Sequence, residues 1–128
     1  MRALPVIAFL FVFALTGCRA SQAPDTAQDV TITVNITETP QKVGQFALMV
    51  TLLDAAQNPI NGAKIDVTGD MTHAGMVPVK GTAEGGASGL YAVPFQWTMS
   101  GDWIVTVRAT LPDGRIATRR FEVRVSNP

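Results

Sequence analysis

Three side chains with metal-binding chemistry lie close together in the stretch GDMTHAGMVP, residues 69–78. They are Met71, His73 and Met76. Thioether sulfur is soft and uncharged, and with a neutral imidazole it suits Cu(I), whereas zinc and iron sites recruit thiolate or carboxylate charge. In an extended segment residues i and i+2 point to the same side, so Met71 and His73 can approach one ion together. Gly75 then permits a turn that returns Met76 towards them.

The same residues also have a simpler interpretation. Methionine fills gaps in apolar cores, so Met71 and Met76 can cap the core of a small domain without any metal. His73 is the only histidine of the chain, and a single histidine near a strand end is more often exposed or hydrogen-bonded than bound to metal. The spacing alone leaves both interpretations open.

The elements that position these residues are predicted to be strands. Beyond residue 28 apolar and polar residues alternate in runs that are bounded by Gly, Pro, Asn and Asp, which is the pattern of half-buried strands. The predicted strands cover residues 30–37, 46–52, 64–70, 77–82, 90–97, 103–109 and 120–125. Seven short strands with one polar face each predict an all-β, antiparallel, immunoglobulin-like β-sandwich over residues 29–126, and a small closed barrel is the alternative.

A second methionine-bearing loop is predicted to lie beside the first. Because the chain of an antiparallel sandwich reverses at each loop, alternate loops lie at the same end of the domain. The loop TMSGD therefore brings Met99 to the end that carries Met71 and His73, and Met99 is a fourth candidate ligand. Trp97 and Trp103 flank this loop. We expect them in the core, although an indole there can shield or make a cation–π contact with bound Cu(I).

The amino terminus has the features of an export signal. One arginine precedes an apolar run from Val6 to Leu15, which small residues follow. The run is shorter than the roughly 20 residues that a membrane-spanning helix needs, so residues 1–17 are predicted to be a cleaved signal peptide.

Cys18 is predicted to carry a lipid anchor. The residues Leu15-Thr16-Gly17-Cys18 resemble the bacterial lipobox, which implies cleavage before a cysteine that becomes diacylated. Cys18 is the only cysteine, which excludes a disulfide within the chain. Residues 18–28 then form a polar tether of very roughly 15–20 Å. Arg19 stands where an aspartate would often signal retention in the inner membrane, so we expect the periplasmic face of the outer membrane.

Charge and motif content argue against several function classes. Removal of the signal peptide leaves nine Lys and Arg against ten Asp and Glu, and a chain without a basic surface is not expected to bind nucleic acid. No Ser, His and acid arrangement stands out beyond chance, and no glycine-rich phosphate loop is present in the sequence. We therefore expect a protein that is not an enzyme.

Three segments carry a family resemblance: GDMTHAGMVPV, GLYAVPFQWTMSGDWIVTVRA and RRFEV. Together they resemble the small exported domains called YtkA-like, which are similar to the periplasmic part of FixH proteins. In that family a loop with Met and His precedes a glycine-led strand with an aromatic residue and a strand opened by Gly-x-Trp, here Gly89, Tyr91, Gly101 and Trp103. The resemblance implies an immunoglobulin-like β-sandwich that is associated with copper handling or cation pumps, often beside copper efflux or cytochrome oxidase assembly.

Two functions follow as hypotheses. The first is a lipid-anchored periplasmic domain that binds or carries Cu(I) through Met71, His73 and Met76, with Met99 as a further ligand, in metal homeostasis. The second is a non-catalytic accessory domain that docks on a cation pump, an efflux complex or the oxidase assembly machinery through its edge strand or its methionine-bearing end.

Overall fold

The fold is described from a computed structural model that covers residues 26–36, 41–73 and 75–128. The predicted signal peptide, Cys18 and most of the predicted tether lie outside these residues. The described part of the chain contains strands and loops but no helix. In these three segments there is accordingly no helix of the length and apolarity needed to cross a membrane.

Eight strands form two sheets in the described residues. They are β1 (Thr31–Asn35), β2 (Gln41–Lys42), β3 (Gly44–Leu53), β4 (Lys64–Met71), β5 (Val79–Glu84), β6 (Leu90–Trp97), β7 (Gly101–Thr110) and β8 (Ile116–Ser126). The smaller sheet has the order β1-β3-β6, and the larger has the order β2-β8-β7-β4-β5. Neighbouring strands are antiparallel except β2 and β8, which are parallel.

This connectivity is that of an immunoglobulin-like sandwich. Such domains pair their first, second and fifth strands (A, B and E) in one sheet and their C, F and G strands in the other, to which variable-type domains add C′. Here β1, β3 and β6 take the A, B and E places, while β4, β7 and β8 take the C, F and G places with β5 as C′. The predicted antiparallel sandwich is thus confirmed over the barrel.

The strand prediction is wrong in the number of strands and in the start of some of them; the last strand begins at Ile116 rather than at residue 120. The structure has eight strands rather than seven, because the chain crosses between the sheets after β1 and its residues Gln41 and Lys42 add to the edge of β8. The fourth predicted strand starts at Val79 instead of Val77. Val77 is 82% exposed, and Pro78 has no N–H with which to begin the ladder.

The apolar face of each strand packs between the sheets, as the period-two pattern predicts. On β6 the odd-numbered residues are buried and the even-numbered residues are exposed over the whole strand. At one end of the core Trp97 contacts Phe95 and Trp103 edge to face, with ring centroids 4.9 and 5.3 Å apart. Gly69 leaves room for them, since a Cβ atom there would lie 2.4 Å from the Phe95 ring.

Tyr91 anchors the opposite end of the core. Its hydroxyl donates a 2.7 Å hydrogen bond to the carbonyl oxygen of Ile60 and accepts one of 3.1 Å from the backbone N–H of Ala63. Because Tyr91 is only 1% exposed, both bonds lie where an unpaired polar group would be costly. They hold the long connection between β3 and β4 against the sandwich.

Candidate functional site

Met71 is the last residue of β4 and points into the core. It continues the inward-facing row of that strand and pairs with Trp103 on β7. Its side chain is 5% exposed and belongs to the main apolar cluster. Burial of this thioether agrees with the core interpretation of Met71, and its methyl group lies against Gly101, the first residue of β7.

His73 lies two residues beyond Met71 and is exposed. Its Nε2 atom lies 3.9 Å, and the Met71 methyl carbon 2.6 Å, from the position that a Cβ atom on Gly101 would occupy. Both side chains therefore approach the same point above the first residue of β7. Gly101 has φ +134°, a conformation that residues with a side chain rarely adopt. Glycine thus provides both the backbone shape and the open space at this point.

Met76 is half-buried and packs against the core cluster. The turn predicted at Gly75 is present, with φ +89°. This turn lets the chain double back between β4 and β5, so that Met76 covers the core while Val77 projects outwards. Met76 thus shares the role of Met71 as an apolar cap, as the core interpretation requires.

Met99 lies in the loop between β6 and β7, and its side chain is 46% exposed. Its carbonyl oxygen accepts a 3.0 Å hydrogen bond from the indole N–H of Trp103. The other indole, that of Trp97, donates to the side-chain oxygen of the buried Gln41 at 3.2 Å. Both tryptophans are buried, as predicted; Trp103 holds the backbone of this loop, and Trp97 holds the side chain of Gln41 on β2.

These residues share one end of the sandwich, as the alternation of loops predicts. The pairing of Met71 with Trp103 brings the end of β4 to the start of β7, and the pairing of Gly101 with Val125 brings the end of β8 alongside. We call this end, defined by Met71, His73, Met76, Met99 and Gly101, the Met–His rim. Within the rim the structure brings Met71 and His73 to a common point, while Met76 packs on the core and the Met99 side chain is exposed.

The rim offers soft, uncharged donors in Met71 and His73, and two carboxylates adjoin it: Asp70 accepts a hydrogen bond from the Met71 N–H, and Asp102 pairs with Arg124. Across the described ranges no three His, Cys, Asp or Glu side chains come together as a metal-binding group. A ligand set of that kind is what zinc or a hard cation would need. A thioether beside an imidazole at an apolar, tryptophan-backed surface instead matches the preferences of Cu(I).

Two residues of this end had no assigned role in the sequence interpretation. The sequence shows Gly101 only as part of a Gly-x-Trp pattern. Its lack of a side chain leaves space beside Met71 and His73, and this depends on the pairing of β4 with β7, which are distant in sequence. The burial of Gln41 could not be predicted from the sequence. Its side-chain oxygen accepts a hydrogen bond from the Trp97 indole, and no local sequence pattern indicates such a contact.

The comparison with protein families identifies the chain. The YtkA-like family model matches residues 25–108, and the chain belongs to this family. No curated protein sequence matches it. The recognition made from the short Met, His and Gly-x-Trp segments is therefore confirmed for the domain, whereas lipidation of Cys18 stays a prediction.

Solved structures of other proteins share the fold at low sequence identity. The superoxide reductase (neelaredoxin) from Ignicoccus hospitalis is similar with a TM-score of 0.51 at 17% identity, over 76% of this chain and 80% of that one. A variant of the same protein gives 0.53 at 16% identity, over 81% and 83% of the two chains. The Lin-41 filamin domain has a TM-score of 0.49 at 14% identity, over 81% and 98%. The reductase likeness supports the β-sandwich fold alone.

Proposed function

We propose that this YtkA-like chain is a lipid-anchored envelope domain that binds Cu(I) at the Met–His rim and serves as a copper scavenger or carrier. The observation that carries the proposal is the approach of the Met71 methyl and His73 Nε2 to one point above Gly101. The Met71 sulfur lies one bond from that methyl. Copper binding at this point therefore requires the Met71 side chain to rotate so that its sulfur, rather than its methyl group, faces the His73 nitrogen.

The burial of Met71 favours the cuprous state of the metal. A thioether 5% exposed lies at the inner wall of the site, while the exposed imidazole forms its outer wall. An ion held between them has Trp103 and the core on one side and the exposed imidazole on the other. Soft neutral ligands in an apolar setting favour Cu(I) over Cu(II). Met76 and Met99 supply further thioethers when their loops adjust.

The anchoring part of the proposal rests on sequence. The lipobox-like residues before Cys18 and the following Arg19 support attachment to the periplasmic face of the outer membrane. Diacylation buries many methylene groups at about 0.8 kcal/mol each, which is enough for stable membrane attachment.

A titration of the chain with Cu(I) under reducing conditions tests the copper proposal. The Cys18→Ser background removes the one thiol that would compete for the ion. We expect about one Cu(I) per chain, and we expect the His73→Ala, Met76→Ala double variant to lose it. Met49→Leu is the matched control, because this half-buried methionine lies within β3, away from the rim. Equal copper retention by the double variant and the control would disprove the proposal.

A second candidate function is docking on a partner protein through the same rim. Val77 and Met99 are 82% and 46% exposed there, and exposed apolar side chains at one end of a domain favour protein contact. A pull-down from membranes with and without copper separates the two functions. A partner captured regardless of copper, and lost in a Val77→Ser, Met99→Ser variant, would favour docking on a pump, efflux complex or oxidase assembly protein.

A further inference from the structure

The chain enters the sandwich at the end opposite the Met–His rim. Thr26 forms a parallel bridge with Ile116, the first residue of β8. The backbone N–H of Ala27 donates a 2.8 Å hydrogen bond to the Ile116 carbonyl oxygen, and Ala27 is buried. An ion pair of 2.8 Å between Asp29 and Arg115 adds a second link at the same level. We call this end the base of the sandwich.

The base and the rim are separated by the full length of the larger sheet. Ile116 pairs with Thr110 at the base, and Val125 pairs with Gly101 at the rim. The ten residues of β7 span this distance, which at about 3.3 Å per residue is roughly 30 Å. A rim that meets a membrane head-on therefore needs a tether long enough to cover this whole length.

The predicted tether is too short for that arrangement at its average extension. Eight residue steps separate Cys18 from Thr26. A flexible chain of this length spans about 15 Å on average, and even a fully extended one reaches at most about 29 Å. Head-on contact of the rim with the anchoring membrane thus needs complete extension of the tether, which is the least populated state of a flexible chain.

We propose that the Met–His rim is the membrane-distal pole of this domain and exchanges copper with a water-soluble protein partner that approaches from the aqueous phase. The inference rests on the proposed function for the lipid on Cys18 and for the copper. The apolar side chains exposed at the rim, Val77 and Met99, are placed for contact with such a partner. The base, by contrast, faces the membrane.

Fluorescence quenching on the lipidated full chain tests the orientation without copper. Ser100→Cys places a label at the rim, and Ala55→Cys places one in the exposed turn after β3, at the base. Lipidation blocks Cys18, so each variant has one reactive thiol. In vesicles with a quencher on the lipid headgroup we expect at least about twofold stronger quenching at residue 55 than at residue 100. Equal or reversed quenching overturns the inference.

Tether length provides the test of copper exchange. We expect the copper-loaded chain to give Cu(I) readily to a soluble chelator and slowly to the same chelator attached to lipids of its own vesicle. Insertion of sixteen Gly and Ser residues after Ala20 raises the average span to about 25–29 Å. It should speed transfer to the attached chelator at least about threefold, because effective concentration peaks when linker and span match. An unchanged or slower transfer overturns the inference.

The possible failures are distinguishable. A mass spectrum without lipid on Cys18 overturns the anchor and the orientation together. A lipidated chain that binds no Cu(I) but shows the expected quenching difference disproves the copper function and the copper exchange. It still supports the orientation in which the base faces the membrane and the rim faces away from it. A chain that is lipidated, binds copper and is quenched equally at both positions disproves the orientation alone.

Discussion

Replacement of Met71 separates its packing role from its proposed role as a ligand. The side chain is 5% exposed and lies in the core cluster. Met71→Ala removes buried atoms and leaves a cavity beside Trp103, for which we expect a loss of about 2–5 kcal/mol in the free energy of unfolding. Met71→Leu keeps volume and apolar character, so we expect it to cost less than about 1.5 kcal/mol.

Both variants lack the Met71 sulfur, so both should lose copper affinity, even though only Met71→Ala is expected to lose much stability. Residues that merely support a metal ligand cost about 10- to 100-fold in affinity when they are changed, so loss of a ligand should cost at least about tenfold in both variants. Urea unfolding of the apo chain gives the stability, and competition with a Cu(I) chelator gives the affinity. Met49→Leu serves as the control, with both quantities near those of the unaltered chain.

Two results would refute this reasoning. A Met71→Leu chain with unaltered copper affinity would show that Met71 only fills space in the core and is not a copper ligand. A Met71→Ala chain less than about 1 kcal/mol less stable than the original would contradict the burial of the side chain, since even transfer of a methionine out of water amounts to about 1.5–3 kcal/mol.

Three further predictions concern the surroundings of the site. Gly101→Ala should lower copper affinity and destabilise the fold by about 1–3 kcal/mol in urea unfolding. The added Cβ atom would displace the Met71 methyl group, and alanine would be strained at the φ of this residue. Unchanged copper affinity would contradict the position of Gly101 beside the proposed ligands. Tyr91→Phe should cost about 1–3 kcal/mol in the same assay through its two lost backbone hydrogen bonds, with copper affinity unaffected. Hydrogen bonds from Arg115 lower the pKa of Asp113, so the carboxylate stabilises the fold above its unfolded pKa and this contribution is lost as the pH falls through the folded pKa. Asp113→Asn should weaken the acid dependence of stability, and an unaltered pH profile would count against the ion pair.

The sequence predicts the sheet interior well because burial follows a simple alternation. Leu90 to Trp97 alternates without exception, and the predicted strand has the same bounds as β6. The prediction is weaker where tertiary pairing decides. Gln41 and Lys42 form a strand only because the end of β8 is available to them, and no pattern in two residues can indicate that.

The candidate site was predictable in its residue types and in its place at one end of the fold. Its geometry was not, because the burial of Met71 depends on the register between β4 and β7. Sequence spacing alone does not distinguish the three residues, whereas in the structure Met71 is 5% exposed, Met76 is half-buried and His73 is exposed. The role of Gly101 follows from that same register and from φ.

X-ray absorption at the copper edge tests the central claim most directly. The sample is the Cys18→Ser chain loaded with one equivalent of Cu(I) and freed of excess metal. We predict a cuprous edge and a first shell that contains both thioether sulfur and imidazole nitrogen, with the nitrogen contribution lost in His73→Ala and the sulfur contribution reduced in Met71→Leu. A first shell of light atoms alone, or one unaffected by either substitution, would contradict copper binding at the Met–His rim.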